Sequence, residues 1–352
     1  MKIVFPKKTQ GVAVIVALVA VTVLTMLAGA FAYSMKVESR LAANSDHDEQ
    51  LLWIGRAGME RARWILSIEG NLPVTTLNQI WAGGPGEGPE TNGPLAGISL
   101  DDFPVGEGTV SLKMTELEGK INVNSADTPL IQQVLTTMGA DAGDMSVVAD
   151  SIQDWVDTDS STRPAGAESD YYQGQSPAYY AKDAPMDDIS EMLLIKGISL
   201  PLFKGGSATN SQGAAFQHHR LGFGHSPGQS PDYPFGLADV FTPFSSGKVN
   251  LNTASLTVLS VLPGVDTLTA DAIIRNRSNV GEGGFGPLHD LSQLTALGIA
   301  PQAVGQLQRY AAFRGSTYEV HATAKIGDYS REYVAVLFRN GPNVNVFSFY
   351  WK

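Results

Sequence analysis

One long uncharged stretch near the N-terminus limits what this chain can fold into. Residues 11–35 include no Asp, Glu, Lys, Arg or His, and three lysines precede them within the first eight residues. As a helix, these 25 residues would span roughly 37 Å, enough to cross a hydrocarbon core of about 30 Å. Because lysines flanking a membrane span favour the cytoplasmic side, the segment predicts a single-pass membrane protein with its N-terminus inside.

Gly11 lies at the junction between the basic leader and the apolar run. An ordinary signal peptide has a shorter apolar core, about 7 to 15 residues, followed by a small-residue cleavage site. The leader KKTQG and the VAVIVALVAV that follows it resemble instead the leader of type IV pilins and type II secretion pseudopilins. The resemblance implies that a prepilin peptidase cleaves after Gly11 and makes Val12 the first mature residue.

The fifth mature residue would be Val16, where most members of these families carry Glu. In the families, that Glu is thought to neutralise the N-terminal amine of a neighbouring subunit inside the bilayer, where an unpaired charge costs several kcal/mol. Val16 has no carboxylate, so the chain is expected to be a poor repeating subunit. Among pseudopilins, the large protein K family is the one that typically lacks this Glu, and a length of 352 residues fits it.

The charge balance limits the possible partners. The formal net charge is −11, and removal of a leader with three lysines would make it −14. An acidic chain without a basic run is a poor match for the phosphate backbone of nucleic acid, so nucleic acid is not an expected partner. Cysteine is absent, which excludes disulfides and thiolate metal sites.

The pattern beyond the membrane segment predicts an α+β fold. Apolar residues spaced three and four apart extend the first helix to about residue 70, where Gly and Pro end it. Alternating residues predict a strand near 110–115 and an antiparallel hairpin that turns at Gly327 and Asp328. We therefore expect a transmembrane helix that continues into a pilin-like α+β domain with a large inserted helical domain. The expected division is a leader at 1–11, a transmembrane helix at 12–35, a pilin-like domain at 36–124 and 316–352, and the inserted helical domain at 125–315.

The predicted insertion contains two similar segments, GKINVNSA at 119–126 and GKVNLNTA at 247–254. Each is read as a short strand that leads into a helix. Short polar side chains at a helix start accept hydrogen bonds from the first free N–H groups. The sequence therefore predicts Asn124 or Ser125 as the first N-cap, and Asn252 or Thr253 as the second.

Residues 262–277, LPGVDTLTADAIIRNR, resemble a helix-hairpin-helix, a module that often grips nucleic-acid phosphates through main-chain N–H groups. Asp266 replaces the second Gly of its loop and would direct negative charge at a phosphate. Two interpretations remain, a DNA contact and a simple packing module, and we favour packing. A DNA contact would suit the alternative function, a minor pilin of a type IV pilus or DNA-uptake system.

Five carboxylates cluster within residues 154–170 and form the candidate metal site: Asp154, Asp157, Asp159, Glu168 and Asp170. Dense oxygen ligands in an irregular loop suit calcium, which takes six to eight oxygens. No EF-hand spacing is present, and a solvated acidic loop with Arg163 as an ion-pair partner explains the composition equally well. The segment, together with residues 176–199, closely resembles part of the protein K family, and this resemblance implies a structural calcium site.

The remaining candidate motifs give weaker indications. His218, His219 and His225 lie in a Gly- and Ser-rich loop at 203–235 and could bind zinc or nickel, but a disordered loop is the favoured interpretation. The chain has no P-loop, no GxSxG elbow and no Cys nucleophile, so we expect no enzyme.

Taken over the whole chain, these motifs resemble the type II secretion pseudopilin K family. The resemblance implies an inner-membrane protein with most of its chain in the periplasm. It also implies a structural role in a pseudopilus tip complex with the minor pseudopilins I and J, which initiates or caps the pseudopilus during export of folded proteins.

Overall fold

The structure, a computed structural model, describes residues 10–86, 93–206, 233–278 and 286–352. Its first element is one helix, α1 (Gln10–Glu69). Within the described ranges, the segment Val12–Ser39 is the one that is long and apolar enough to cross a membrane, and its side chains are exposed. The predicted apolar helix and its end just before Gly70 are therefore confirmed.

The C-terminal part of α1 packs on a five-stranded antiparallel sheet. The strands are β1 (Phe103–Val105), β2 (Gly108–Glu116), β7 (Thr317–Ile326), β8 (Tyr329–Asn340) and β9 (Asn343–Trp351), in the order β1-β2-β7-β8-β9. Alternate residues of these strands face the helix because successive side chains of a strand point to opposite sides. Tyr318 is opposite Leu337, and Ile326 is opposite Tyr329, so the predicted hairpin and its turn are confirmed.

Two glycines let α1 approach the sheet closely. A Cβ added at Gly58 would lie 2.8 Å from Cγ2 of Val110 and 3.3 Å from Cβ of Ala322. At Gly55 an added Cβ would overlap the ring of Tyr333. Leu51, Ile54, Ala62 and Ile65 fill the rest of this interface and are all buried.

The chain between β2 and β7 forms a second hydrophobic core. It contains the helices α2 (Thr128–Met138), α3 (Ala142–Val156), α4 (Ser169–Gln173), α5 (Leu200–Lys204), α6 (Leu237–Val240), α7 (Leu256–Ser260), α8 (Thr267–Ser278), α9 (Ser292–Ala296) and α10 (Pro301–Leu307). Four two-residue strands form two small parallel pairs, β3 (Ile121–Asn122) with β4 (Phe241–Thr242), and β5 (Val249–Asn250) with β6 (Ala311–Ala312). Glu116, at the end of β2, is paired with Tyr318, near the start of β7. The region between the two strands therefore begins and ends at neighbouring positions, at one end of the strands of the main sheet.

The predicted helix caps are wrong in both repeated segments. Asp127 caps α2 by accepting a hydrogen bond from the N–H of Leu130 at 3.1 Å, and Ser255 caps α7 by accepting one from the N–H of Val258 at 3.2 Å. The side chains of Asn124 and Asn252 instead form hydrogen bonds with the backbone of residues far along the chain. They are therefore not available to cap the helices that follow.

Candidate metal site

The acidic segment runs from the end of α3 to the start of α4. Ligand oxygens of Asp157, Asp159 and Glu168 lie within 4.8 Å of one another. Asp157 follows α3 directly, and Glu168 directly precedes α4. The loop between the two helices thus returns Glu168 to the first two carboxylates, and three of the five predicted residues meet.

Glu168 is the buried member of this group, with 4% of its surface exposed. Neither of its carboxylate oxygens receives a hydrogen bond from an N–H group of the residues that the structure describes, and the same holds for Oδ1 of Asp157. Burial, followed by the charges of Asp183, Asp154 and Asp157, raises the pKa of Glu168 to about 7. A buried carboxylate without donors is costly, and a bound cation would supply the missing partner.

Asp154 lies outside the group of close carboxylates found among the described residues. Its fully buried carboxylate accepts hydrogen bonds from the backbone N–H of Arg163, with N–O distances of 3.3 and 3.2 Å, and forms an ion pair with the guanidinium. Nη2 of Arg163 also bonds to Oδ2 of Asp157 at 2.9 Å. Arg163 therefore holds the loop against the end of α3, and its ion-pair partners are Asp154 and Asp157.

Asp170 lies in the first turn of α4 and is exposed. It does not belong to the group of close carboxylates found among the described residues. A carboxylate near a helix N-terminus interacts favourably with the helix dipole, which is sufficient reason for an acid at this position. The structure thus separates Asp170 from Asp157, Asp159 and Glu168.

Asp183 was missed by the sequence reasoning. Its charge and a side-chain hydrogen bond between the two acids both raise the pKa of Glu168, so Asp183 lies directly beside Glu168. Its backbone has a φ of 48°, a conformation in which Asp is one of the few tolerated residues besides Gly and Asn. Its position 15 residues after Glu168, outside the acidic run, gave no sequence signal.

These carboxylates fit a hard divalent cation. Calcium binds oxygen at about 2.3–2.6 Å, so ligands on one ion lie up to about 5 Å apart, and ligand oxygens that lie within 4.8 Å of one another are compatible with that geometry. All the groups are oxygen donors, as calcium requires. Asp157, Asp159 and Glu168 would hold the ion, with Asp183 beside them.

The hairpin-like module is a separate feature of the same region. Leu262, Val265 and Ile273 are buried in the second core, as the packing interpretation predicts. Gly264 turns the chain with a φ of 79°, and Asp266 accepts a hydrogen bond from the N–H of Thr269 at 2.7 Å at the start of α8. Hydrogen bonds from Thr269 hold the pKa of Asp266 below its ordinary value, so a negative charge lies where a phosphate would approach.

The predicted site at His218, His219 and His225 falls in 207–232, outside the described residues. Residues 1–9 of the predicted leader at 1–11 also lie outside them.

Comparison with known proteins gives consistent matches along the chain. The type II secretion system protein K of Pseudomonas aeruginosa is 24% identical over 349 residues, covering 94% of this chain and 89% of the relative. That of Klebsiella pneumoniae is 29% identical over 115 residues, which are 29% of this chain and 35% of the relative. The crystal structure of the GspK-GspI-GspJ complex from enterotoxigenic Escherichia coli has a chain with the same fold, with a TM-score of 0.63 and 18% identity over 88% of this chain and 99% of that one.

A membrane-spanning helix that continues into the core of an antiparallel sheet defines a membrane-anchored, pilin-like α+β protein. The family model described as type II secretion system protein K matches residues 111–204, and a helix-hairpin-helix model matches residues 245–311. By these matches the chain is similar along nearly its whole length to type II secretion system protein K, a structural component of a secretion system.

Proposed function

We propose that this chain is a minor pseudopilin at the tip of a type II secretion pseudopilus, where it binds the minor pseudopilins I and J. The observation that carries the proposal is the match to the Pseudomonas protein over 94% of the chain. The fold shared with a chain of the GspK-GspI-GspJ complex supports the same partners. The matches favour secretion over a DNA-uptake pilin, in agreement with the negative charge of Asp266.

Two features of the chain support a terminal position in the pseudopilus. Val16 offers no carboxylate to the N-terminal amine of another subunit within the bilayer. The inserted region between β2 and β7 adds a second core on one end of the sheet, where it would obstruct a subunit stacked above. Both features allow subunits to be added below this chain and not beyond it.

The proposed topology follows from the apolar helix and its flanking lysines. Prepilin peptidase removes the leader after Gly11, the helix spans the inner membrane with its N-terminus in the cytoplasm, and the rest of the chain lies in the periplasm. We also propose the domain division at 36–124, 125–315 and 316–352, and a role without catalysis.

Calcium is the proposed structural ion of the site formed by Asp157, Asp159 and Glu168. The support is the buried carboxylate of Glu168, which has no N–H donor among the described residues, and the oxygen-only ligand set. The ion would join the end of α3 to the start of α4. It would therefore rigidify the segment without taking part in any reaction.

The function is tested by deleting the gene and measuring where a known exported enzyme accumulates. We expect the enzyme in the periplasm, and export restored by the wild-type gene supplied from a plasmid. Immunoprecipitation of the full-length protein from detergent should also recover pseudopilins I and J. Normal export in the deletion strain, with loss of DNA uptake or twitching, would reject the secretion function.

The calcium site is tested by isothermal titration of the detergent-solubilised full-length protein after removal of divalent ions. We expect the variant with Asp159→Ala and Glu168→Ala to lose calcium binding and to become more sensitive to protease. Unchanged calcium stoichiometry in this variant would exclude both residues as ligands.

A further inference from the structure

The two repeated segments form the same local structure. In the first, Oδ1 of Asn122 accepts a hydrogen bond from the N–H of Asn124 at 2.9 Å, and in the second, Oδ1 of Asn250 accepts one from the N–H of Asn252 at 3.1 Å. Each turn follows a two-residue parallel strand, β3 or β5. The second asparagine of each copy is thereby turned away from its own strand.

Asn124 and Asn252 then make the same reciprocal pair of bonds with a distant residue. Oδ1 of Asn124 accepts from the N–H of Met186 at 2.7 Å, and its Nδ2 donates to the carbonyl of Met186 at 3.0 Å. Asn252 bonds in the same way to the N–H and carbonyl of Leu288, both at 2.8 Å. Only an amide side chain can donate and accept in this manner, because a carboxylate has no donor and a hydroxyl has one oxygen for both roles.

We call each asparagine with its two bonds to one distant residue a clamp, and the Asn124 and Asn252 clamps differ in the part of the chain that they bind. Met186 is three residues after Asp183, the residue beside Glu168 in the candidate metal site. Nδ2 of Asn124 also donates to the carbonyl of Pro243 at 3.1 Å, so three parts of the chain meet at this side chain. Leu288, the residue bound by Asn252, lies between α8 and α9, in a part of the chain that contributes no residue to the candidate metal site.

Asp183 needs support from its neighbours in the chain. Its φ of 48° is one that residues other than glycine adopt rarely, and its carboxyl group has a side-chain hydrogen bond with Glu168, another acid. On its N-terminal side, Lys182 bonds to Asp187 at 2.6 Å and to Glu191 at 2.8 Å. These partners belong to the same segment, whereas the Asn124 bonds tie the segment to β3 and the second core.

We propose that Asn124 is a positioning residue of the metal site, which fixes Met186 and through it keeps Asp183 beside Glu168. This inference rests on the proposed calcium site. Asn252 serves as its internal control, because it makes the same bonds to a residue that does not lead to the carboxylates.

The test compares Asn124→Ala with Asn252→Ala in the detergent-solubilised full-length protein. Asn124→Ala loses the two bonds to Met186 and one to Pro243, and Asn252→Ala loses the two bonds to Leu288, so thermal unfolding in EDTA should show a decrease in Tm for both variants. Calcium chloride titration should show affinity reduced about 10- to 100-fold in Asn124→Ala, the range known for residues that orient metal ligands. The affinity of Asn252→Ala should stay within about twofold of wild type, since its clamp does not reach the site.

A double-mutant cycle with Asp183→Asn checks the route of the effect. If Asn124 acts through Asp183, the loss of affinity caused by Asp183→Asn will be smaller in Asn124→Ala than in the wild type. If Asn124→Ala does not fold, the milder Asn124→Asp takes its place. This variant keeps the acceptor for the N–H of Met186 and removes the donor to its carbonyl, so it should also weaken calcium binding.

Three results would overturn the inference. Wild-type affinity in both Asn124 variants would show that the clamp does not position the site, and an equal loss in Asn252→Ala would show a general effect on folding. If the wild-type protein itself fails to bind calcium, the proposed metal site is wrong and the inference falls with it.

Discussion

Glu116 gives the sharpest prediction about stability. It is the last residue of β2 and is 4% exposed. Its Oε1 accepts a hydrogen bond from Nδ2 of Asn250 at 2.9 Å, and its Oε2 accepts one from the hydroxyl of Thr253. The carboxyl group therefore joins the main sheet to the inserted region through two neutral donors.

Burial, and then the negative charge of Glu118, raises the pKa of Glu116 from 4.5 to about 8, against the opposing effects of Thr253, Asn250 and Arg339. The folded protein thus keeps Glu116 protonated at neutral pH, whereas the unfolded chain ionises it near 4.5. Stability from this group is fully present below pH 4.5 and is lost as pH rises towards 8. At about 1.4 kcal/mol per pH unit, the loss reaches up to about 3 kcal/mol at pH 7.

Glu116→Gln removes the ionisation and keeps an acceptor for Asn250. We expect the variant to be more stable than wild type at pH 7 by up to about 3 kcal/mol, with a difference that grows between pH 5 and 8. Equilibrium urea unfolding of the full-length protein in detergent, repeated at each pH, measures this difference. A difference that does not change with pH would refute the reasoning, because Glu116 would then be ionised in the folded state.

Glu118→Gln is the matched control, two residues along the chain. The Glu118 carboxylate is fully buried and accepts four hydrogen bonds, from the N–H of Ser246, the hydroxyl of Ser316, and the N–H and hydroxyl of Thr317. An amide nitrogen would face one or more of these donors and leave them unpaired. We therefore expect this variant to lose stability by about 1–3 kcal/mol.

Further predictions concern α1, the metal site and the membrane segment. Gly58→Ala should lower the free energy of unfolding in urea by about 1–3 kcal/mol because its Cβ would press into β2. Gly305→Ala, in a helix with open space around it, should raise the free energy of unfolding by up to about 1 kcal/mol. Equal effects of the two variants would reject the argument that α1 needs glycine to approach the sheet. Glu168→Gln should raise the Tm of the calcium-free protein, since it removes a buried charge without donors, and lower the Tm in calcium, while Asp170→Asn should change neither by more than about 1 °C. Val16→Glu should fold normally and appear at non-terminal positions of the pseudopilus by crosslinking; a variant found only at tips would exclude the missing charge as the cause of tip placement.

The parts of the fold that sequence predicted are those specified by local pattern. The alternation around Val320 and Val334, with Gly327 and Asp328 between, gave the hairpin because a period of two and a tight turn fix the register together. The apolar stripe of α1 was equally clear, since its buried positions recur every three or four residues.

The parts that sequence could not predict depend on residues far apart in the chain. Asn124 is of a residue type that often caps helices, whereas its observed bonds are to Met186, 62 positions later in the chain. The candidate metal site has the same limitation. A dense acidic run is visible in the sequence, but the sequence does not show that Glu168 is buried and Asp170 exposed, or that Asp154 pairs with Arg163. Asp183 joins the candidate metal site only because the folded chain brings it back to Glu168.

The unbroken course of α1 has a mechanical consequence. At about 1.5 Å per residue, its 60 residues form a rod of about 90 Å that begins at the membrane segment and ends inside the sheet interface. No proline interrupts it, so it lacks the commonest cause of a sharp kink. Force applied along the membrane end is therefore delivered directly to the sheet, and each subunit inserted beneath would lift the entire periplasmic part by the same distance.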